Sequence, residues 1–355
     1  MSWASFIPMY RGLGKAYKYV GPKRDMAPMT FPLVRLDTNE NPYGASPKAI
    51  LAYLRSSRFL NRYPDYAGYR RLISDRIGVG PEQVFPTPGS DRGIQVLLQC
   101  LSKNYDRLVI PSPGFLMYLR FSKLFFKKVE QASCWLGRSW DDVLRCSGKD
   151  AVLILGSPNN PTGETIEKKT VEKLLEEFGV VIVDEAYAEY CGESFAPMLN
   201  EFENLVLART FSKAYGLASL RSGYLAGNQS LIRKAEEYAG PFDVPAPAVE
   251  ASKAALEDEW WLKTVVEATS ANRSRMVNSL SRVDGVTPYG SKANFILLKV
   301  NDAQSVFEKL LANNIRVRLV TPEWGGVEEK FLRVTVGTLL EVDYFLCALR
   351  RVVQS

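Results

Sequence analysis

Short apolar runs recur along the first two-thirds of the chain and predict buried β-strands. The most regular is Val180–Val183, which consists of four consecutive β-branched residues. Such a run is typical of a strand that is buried on both faces of a sheet. Four further runs have the same character: Leu108–Ile110, Ala151–Leu155, Leu205–Ala208 and Tyr224–Ala226. They predict the central strands of a sheet.

Segments with a helical period lie between these runs. One places its apolar residues on one face at Ile94, Leu97, Leu98 and Leu101, directly after Gly89-Ser90-Asp91. A serine or aspartate before such a run is typical of a helix N-cap. A second amphipathic segment spans residues 165–178. Strands that alternate with helices indicate an α/β fold with a largely parallel sheet.

A smaller α/β unit is predicted towards the carboxyl end. The glycine- and proline-rich passage 240–247 is the candidate hinge, and a long helix is expected from about residue 250. Asn294–Val300 and Phe331–Val336 read as strands of this unit. We therefore predict an N-terminal arm that includes part of the small domain over residues 1–44, a large domain over 45–245 and a small domain over 246–355.

Composition narrows the class of protein. The chain has 355 residues, of which 46% are hydrophobic and 24% charged, which is ordinary for a soluble globular protein of two domains. A net charge of +6, spread along the chain, does not favour nucleic-acid binding. We see no signal peptide and no apolar run of the ~18 residues that a membrane span needs. The expected location is the cytoplasm, with no membrane partner.

The titratable residues limit the available chemistry. The five cysteines are odd in number, and no two are separated by only two residues, so we expect reduced thiols and no bound metal. The chain contains no histidine, which removes the commonest general base and metal ligand. Proton transfer must therefore fall to Lys, Tyr, Asp, Glu or Cys.

The candidate chemistry is concentrated between the last two of the apolar runs. Lys213 is preceded there by Ser212 and followed by Arg221. A lysine can form a Schiff base with a carbonyl group, and hydroxyls beside an arginine can hold a phosphate. An aldehyde that carries a phosphate describes pyridoxal phosphate. Asp184 ends the Val180–Val183 strand, where a carboxylate can bind a protonated pyridine nitrogen. Taken singly, Lys213 is typical of a surface residue and Asp184 of a helix N-cap.

Together these stretches resemble the fold-type I pyridoxal phosphate aminotransferases, most closely the histidinol-phosphate aminotransferases. Seven blocks carry the resemblance in the family's order: LDTNENPYG (36–44), RYPD (62–65), GSD (89–91), SPNNPTG (157–163), VDEAYAEY (183–190), RTFSKAYGLASLRSGY (209–224) and LRVTVGT (332–338). The resemblance implies the fold-type I architecture, in which a large domain with a mostly parallel seven-stranded sheet is joined to a smaller α/β domain.

The resemblance also implies roles for the cofactor-site residues. Lys213 would be the Schiff-base lysine and proton shuttle, with Asp184 on the pyridine nitrogen and Asn159 and Tyr187 on the phenolic oxygen. Phe115 would stack on the pyridine ring. The phosphate would be held by residues from several parts of the chain, among them a tyrosine of the neighbouring subunit: Ser90, Asp91, Ser212, Arg221 and Tyr63. The last assignment implies a homodimer with shared active sites.

The substrate site follows from the same resemblance. Arg333 would bind the substrate carboxylate, and Arg318 and Tyr19 the substrate phosphate. The implied reaction transfers the amino group of histidinol phosphate to 2-oxoglutarate, in the biosynthesis of histidine. The chain departs from the family where Arg92 replaces the usual glutamate.

Three alternatives remain open on the sequence. Two share the fold and cofactor: a threonine-phosphate decarboxylase, and a general aromatic or aspartate-type aminotransferase. The third is a non-catalytic binding protein that keeps the fold.

Overall fold

Two β-sheets organise the computed structural model, which describes residues 33–134, 139–324 and 329–354. The strands are β1 (Val34–Leu36), β2 (Val84–Thr87), β3 (Arg107–Ser112), β4 (Lys128–Ser133), β5 (Gly148–Gly156), β6 (Phe178–Asp184), β7 (Leu205–Thr210), β8 (Gly223–Gly227), β9 (Val286–Pro288), β10 (Phe295–Val300), β11 (Ile315–Val320) and β12 (Phe331–Thr335). Both sheets belong to one compact unit, Val34–Ser355.

Helices connect and cover these strands. They are α1 (Pro47–Ser56), α2 (Tyr66–Ile77), α3 (Gly89–Leu101), α4 (Leu116–Phe125), α5 (Asp141–Arg145), α6 (Lys168–Glu177), α7 (Ala188–Cys191), α8 (Gln229–Glu236), α9 (Ala246–Leu256), α10 (Glu259–Leu280), α11 (Ala303–Ala312) and α12 (Leu339–Gln354). Within the described residues, no helix is both long enough and apolar enough to cross a membrane.

The larger sheet has seven strands in the order β2-β8-β7-β6-β5-β3-β4. Only β8 runs against its neighbours, and the other pairs are parallel. The seven-stranded, mostly parallel sheet expected from the sequence is therefore present. The order of its strands places β6, which ends at Asp184, between β5 and β7.

Burial on both faces explains the unbroken apolar runs in this sheet. Val181 and Val183 of β6 point into a core that also contains Val171 of α6. Val180 and Ile182 point into the opposite core, which contains Leu97 of α3. Because successive side chains of a strand point to opposite faces, a strand between two helical layers needs apolar residues at every position.

The smaller sheet has the order β1-β11-β12-β10-β9, with β1 parallel to β11 and the remaining pairs antiparallel. Its core is closed by helices α10, α11 and α12 through Met276, Leu310 and Phe345, among others. In the β11–β12 pair, Arg318 lies directly opposite Arg333. The sheet thus brings two guanidinium groups onto neighbouring strands.

Two observations bear on the boundaries expected from the sequence. Helix α3 begins at Gly89, with Pro88 in the N-cap position, so Ser90 and Asp91 lie in its first turn and not at the cap. Helix α9 buries Ala248, Val249 and other residues in the core of the larger sheet. The division into domains at residues 45 and 246 stays a prediction.

Candidate active site

A cavity of about 400 Å³ lies at the carboxyl ends of β6 and β7 and extends to side chains of the smaller sheet. This is the edge at which open α/β sheets bind their ligands. Ten of the thirteen predicted site residues line it: Ser90, Asp91, Phe115, Asp184, Tyr187, Ser212, Lys213, Arg221, Arg318 and Arg333. Residues that are far apart in sequence therefore meet in one site.

Asp184 is the buried carboxylate of the cavity. The Tyr118 hydroxyl donates a hydrogen bond to its Oδ2 at 2.7 Å, and the Ala186 N–H donates to its Oδ1 at 3.1 Å. Burial raises the pKa of Asp184 to about 7. No ion pair of the described chain involves this carboxylate. A buried acid without a cation is suited to a positively charged ligand group.

Lys213 lies in the connection between β7 and β8, where its half-buried amine faces the cavity. Its Nζ donates a hydrogen bond to the Thr38 carbonyl at 2.9 Å and lies 5.8 Å from the centre of the Tyr187 ring. Burial, followed by the charge of Arg333, lowers the pKa of Lys213 to about 8. The amine is thus closer to its neutral, nucleophilic form than an exposed lysine would be.

The N-terminus of α3 and the Lys213 loop form an anion-binding corner. Arg221 donates from Nη1 to Ser212 Oγ at 3.2 Å, and its backbone is left-handed with a φ of 49°. Gly89, with a φ of 78°, lets the guanidinium approach, because a Cβ there would lie 2.7 Å from Arg221 Nη2. The free N–H groups of a helix start, Ser90 and a guanidinium together suit a phosphate.

Arg333 is 4% exposed and has no carboxylate partner among the described residues. It donates from Nη1 to Asn160 Oδ1 and from Nη2 to the Asp37 carbonyl, both at 2.6 Å, while Nε has no partner. The Phe295 and Trp324 rings lie 5.4 and 5.7 Å from its Cζ. A guanidinium held in this way presents unused charge to an anionic ligand.

The Asp37–Asn39 segment, which follows β1, contacts three of these side chains. The Asp37 carbonyl accepts from Arg333, the Thr38 carbonyl accepts from Lys213, and Asn39 Nδ2 donates to the Tyr187 hydroxyl at 2.9 Å. Asn39 adopts a φ of 55°, and Thr335 Oγ1 both accepts from its N–H and donates to its Oδ1. The segment is therefore fixed to β12 while it positions the site.

Two of the predicted residues that the structure describes do not line this cavity. Asn159 is a correction, because its side chain donates to the Pro113 carbonyl and Thr162 Oγ1 within the turn, and Asn160 faces the cavity instead. Tyr63 is 78% exposed and stacks on Phe242 with ring centres 4.4 Å apart. Tyr19 lies outside the described residues.

Sequence analysis missed several residues that line the cavity. Tyr118 and Arg120 lie on α4 just beyond Phe115, in a segment that carries no motif. Asn39 lies within the first family block, but the resemblance implies no role for it. Asn160 directly follows Asn159, the asparagine that the resemblance implies. Only the last two had a signal in the sequence, namely their place inside a family block.

Each group of pyridoxal phosphate has a counterpart among these residues. The amine of Lys213 is available to its aldehyde and the anion-binding corner formed with Arg221 to its phosphate. The buried carboxylate of Asp184, which has no ion-pair partner in the described chain, is available to its pyridine nitrogen. The fold and the cavity together define a pyridoxal phosphate-dependent enzyme of fold type I.

The chain belongs to the aminotransferase class I and II family, whose model matches residues 32–349. It is therefore a pyridoxal phosphate-dependent aminotransferase, which acts on small amino and oxo compounds.

Known proteins with similar sequences and folds agree with this assignment. The chain is 36% identical to histidinol-phosphate aminotransferase 1 of Archaeoglobus fulgidus, over 90% of this chain and 99% of that protein. It is 32% identical to histidinol-phosphate aminotransferase 2 of the same organism, over 92% and 95%. The histidinol-phosphate aminotransferase of Sinorhizobium meliloti, solved in complex with pyridoxal-5'-phosphate, superposes with a TM-score of 0.82 at 21% identity, over 99% and 98%.

The pKa of Lys213 predicts how cofactor capture depends on pH. A pKa of about 8 leaves the amine mostly protonated at pH 6 and mostly neutral at pH 9. The rate constant for capture of pyridoxal phosphate by cofactor-free protein should therefore rise with pH, up to about tenfold per unit below pH 8, and level off above it. Stopped-flow absorbance of the lysine-bound cofactor measures this rate. A rise that continues to pH 10 would contradict the lowered pKa.

Proposed function

We propose that the enzyme transfers the amino group of histidinol phosphate to 2-oxoglutarate. The observation that carries the proposal is the pair Arg318 and Arg333, which lie opposite each other on β11 and β12 and both line the cavity without a carboxylate partner in the described chain. Histidinol phosphate carries a phosphate and no carboxylate, whereas 2-oxoglutarate carries two carboxylates. Two adjacent guanidiniums can bind either anion in turn.

Different side chains of this chain would have different roles in the reaction. We propose that the Lys213 amine would hold the cofactor through its aldehyde carbon. With a substrate bound, the same amine would take the proton from the substrate carbon that bears the amino group, as base, and deliver it, as acid, to the carbon of the former aldehyde. Bound pyridoxal phosphate supplies an electron sink for that carbon. Asp184 would hold its pyridine nitrogen in the protonated form, and Tyr187 and Asn160 would bind its ring oxygen. Phe115 would stack on the ring.

We further propose that the phosphate of the cofactor is held by the backbone N–H groups of Ser90 and Asp91 and by the side chains of Ser212 and Arg221, with Tyr63 contributed by a second subunit. Within its own chain, Tyr63 is exposed and stacks on Phe242, which is also exposed. Helix α1 and the turn after it expose further large apolar side chains, namely Ile50, Leu51, Tyr53, Leu54, Phe59 and Leu60. A patch of exposed apolar side chains is typical of a protein interface, which supports a homodimer with shared active sites.

Sedimentation velocity of the purified protein tests the proposed dimer. We expect a dimer at micromolar concentration, and we expect Leu60→Asp, which buries a charge in the interface, to dissociate it. Glu82, which is exposed and lies outside the patch, provides the control Glu82→Ala, expected to remain dimeric. A wild-type monomer with full activity would contradict the shared site.

We also propose that the protein is located in the cytoplasm, since all five cysteines are free.

A substrate panel tests the reaction itself. Histidinol phosphate, phenylalanine, tyrosine and threonine phosphate are each offered with 2-oxoglutarate, and glutamate and carbon dioxide are measured. We expect glutamate, with the highest kcat/KM for histidinol phosphate and ping-pong kinetics. A preference for phenylalanine or tyrosine would instead identify an aromatic aminotransferase. Carbon dioxide from threonine phosphate would identify a decarboxylase, and no turnover with any substrate would leave a binding protein.

A matched pair of variants isolates the phosphate contact. Arg318→Gln should lower kcat/KM for histidinol phosphate by about 10- to 100-fold, because a charge-assisted hydrogen bond to the substrate is lost. Arg316 is exposed on the same strand and does not line the cavity. Arg316→Gln should therefore leave kcat/KM within about twofold. Equal losses in both variants would show a general effect of charge and not a contact.

A further inference from the structure

The cavity contains more positive charge than the assigned groups explain. Five cationic side chains line it, namely Arg120, Lys213, Arg221, Arg318 and Arg333, against two acidic ones, Asp91 and Asp184. Lys213 carries the chemistry, Arg221 lies at the anion-binding corner 3.9 Å from Asp91, and Arg318 and Arg333 form one pair. Arg120 is left without a role.

Arg120 lies on a different wall of the cavity from that pair. It belongs to α4, in the helical layer of the larger sheet, whereas Arg318 and Arg333 belong to the smaller sheet. Its side chain is exposed and also lines the cavity, so it lies at the rim. No ion pair or hydrogen bond within the described chain involves its guanidinium. The group is therefore free to meet an anion that enters the cavity.

The second substrate of the proposed reaction supplies such an anion. 2-Oxoglutarate has a carboxylate at each end of a five-carbon chain, and one guanidinium cannot contact both ends at once. If one carboxylate binds to Arg318 and Arg333 on the smaller sheet, the second carboxylate either binds to another cation or stays hydrated. We propose that Arg120 binds this distal carboxylate and thereby selects dicarboxylic over monocarboxylic oxo acids. The inference rests on the proposed function only for the choice of a dicarboxylate.

The oxo-acid half-reaction tests the inference apart from the amino donor. Protein loaded with pyridoxamine phosphate is mixed with 2-oxoglutarate or with 2-oxohexanoate, whose chain reaches as far but ends in a methyl group. The ratio of the two kcat/KM values measures the contribution of the distal carboxylate. Because no histidinol phosphate is present, a failure of the proposed amino donor would leave this measurement valid.

Three variants make the test specific. Arg120→Gln should lower kcat/KM for 2-oxoglutarate by about 10- to 100-fold and leave that for 2-oxohexanoate within about twofold. Arg120→Lys, which keeps the charge, should recover part of the loss. Lys123 is exposed on the same helix and does not line the cavity, so Lys123→Gln should change neither value.

Two kinds of result would overturn the inference. An equal loss for both oxo acids in Arg120→Gln would mean that Arg120 shapes the cavity and does not recognise the distal carboxylate. Unchanged kcat/KM values for both oxo acids in Arg120→Gln, or the same change in Lys123→Gln, would mean that the enzyme does not recognise this carboxylate through Arg120. Thermal unfolding of each variant, expected to match the wild type, separates loss of fold from loss of contact.

Discussion

Lys213→Ala is expected to lower transamination by about four orders of magnitude or more. The substitution removes the amine that is proposed both to attach the cofactor and to move the proton. A positioned general base alone contributes about 10²- to 10⁴-fold. No histidine is present to replace it. The visible absorption of the lysine-bound cofactor should disappear as well. Steady-state assays and absorption spectra of the same preparations measure both effects.

Two control variants distinguish the covalent role of Lys213 from its charge. Lys213→Arg keeps a cation near Tyr187 but offers no amine that can attach an aldehyde, so it should be as inactive as the alanine variant. Lys103→Ala removes an exposed lysine beyond the end of α3 and should leave activity unchanged. Near-normal turnover in either variant of Lys213 would refute its assigned role.

Asp184→Asn is expected to have the second largest effect, a loss of about two to four orders of magnitude in kcat, or roughly 3–5 kcal/mol of barrier. Asparagine keeps the size of the side chain and removes its charge. The pyridine nitrogen would then lose the anion that is proposed to keep it protonated, and the ring would accept electrons less readily. Single-turnover measurements with the amino substrate report the step directly.

A second variant separates the effect of the Asp184 charge from the effect of its hydrogen bond with Tyr118. Tyr118→Phe removes the 2.7 Å hydrogen bond to Asp184 and leaves the carboxylate in place, so its loss should be much smaller, about tenfold. If Tyr118→Phe costs as much as Asp184→Asn, the hydrogen bond and not the charge is decisive. An Asp184→Asn enzyme as active as the wild type would refute the role of the carboxylate.

The fold was largely predictable because its signals are physical and repeated. The central residues of a doubly covered strand are apolar, so β6 shows in the sequence as the unbroken run Val180–Val183. Asp184, the last residue of β6, then marks the edge of the sheet where the cavity lies. The family blocks then placed most of the cavity-lining side chains. In these blocks, the residue types that the sequence shows match the positions that the fold gives them at the cavity.

The mistakes arose where the sequence carries no information on side-chain direction. Asn159 and Asn160 are adjacent in a turn, and no periodicity decides which of two neighbouring side chains faces inward. Tyr118 and Arg120 lie on α4. The apolar pattern of this helix predicts which side chains pack in the core, but it does not show which residues line the cavity. Ser90 and Asp91 looked like caps, but the helix begins one residue earlier, at Gly89. Each case depends on tertiary geometry.

The Asp37–Asn39 segment has a consequence for how this enzyme can change. Its three consecutive residues form hydrogen bonds with the side chains of Arg333, Lys213 and Tyr187. A backbone shift at any one of the three residues is therefore transmitted to the other two. Substitutions there should show strong non-additivity when combined with changes in the side chains they hold. New substrate preferences are therefore more accessible through residues such as Arg120, which adjust one contact and leave the shared scaffold undisturbed.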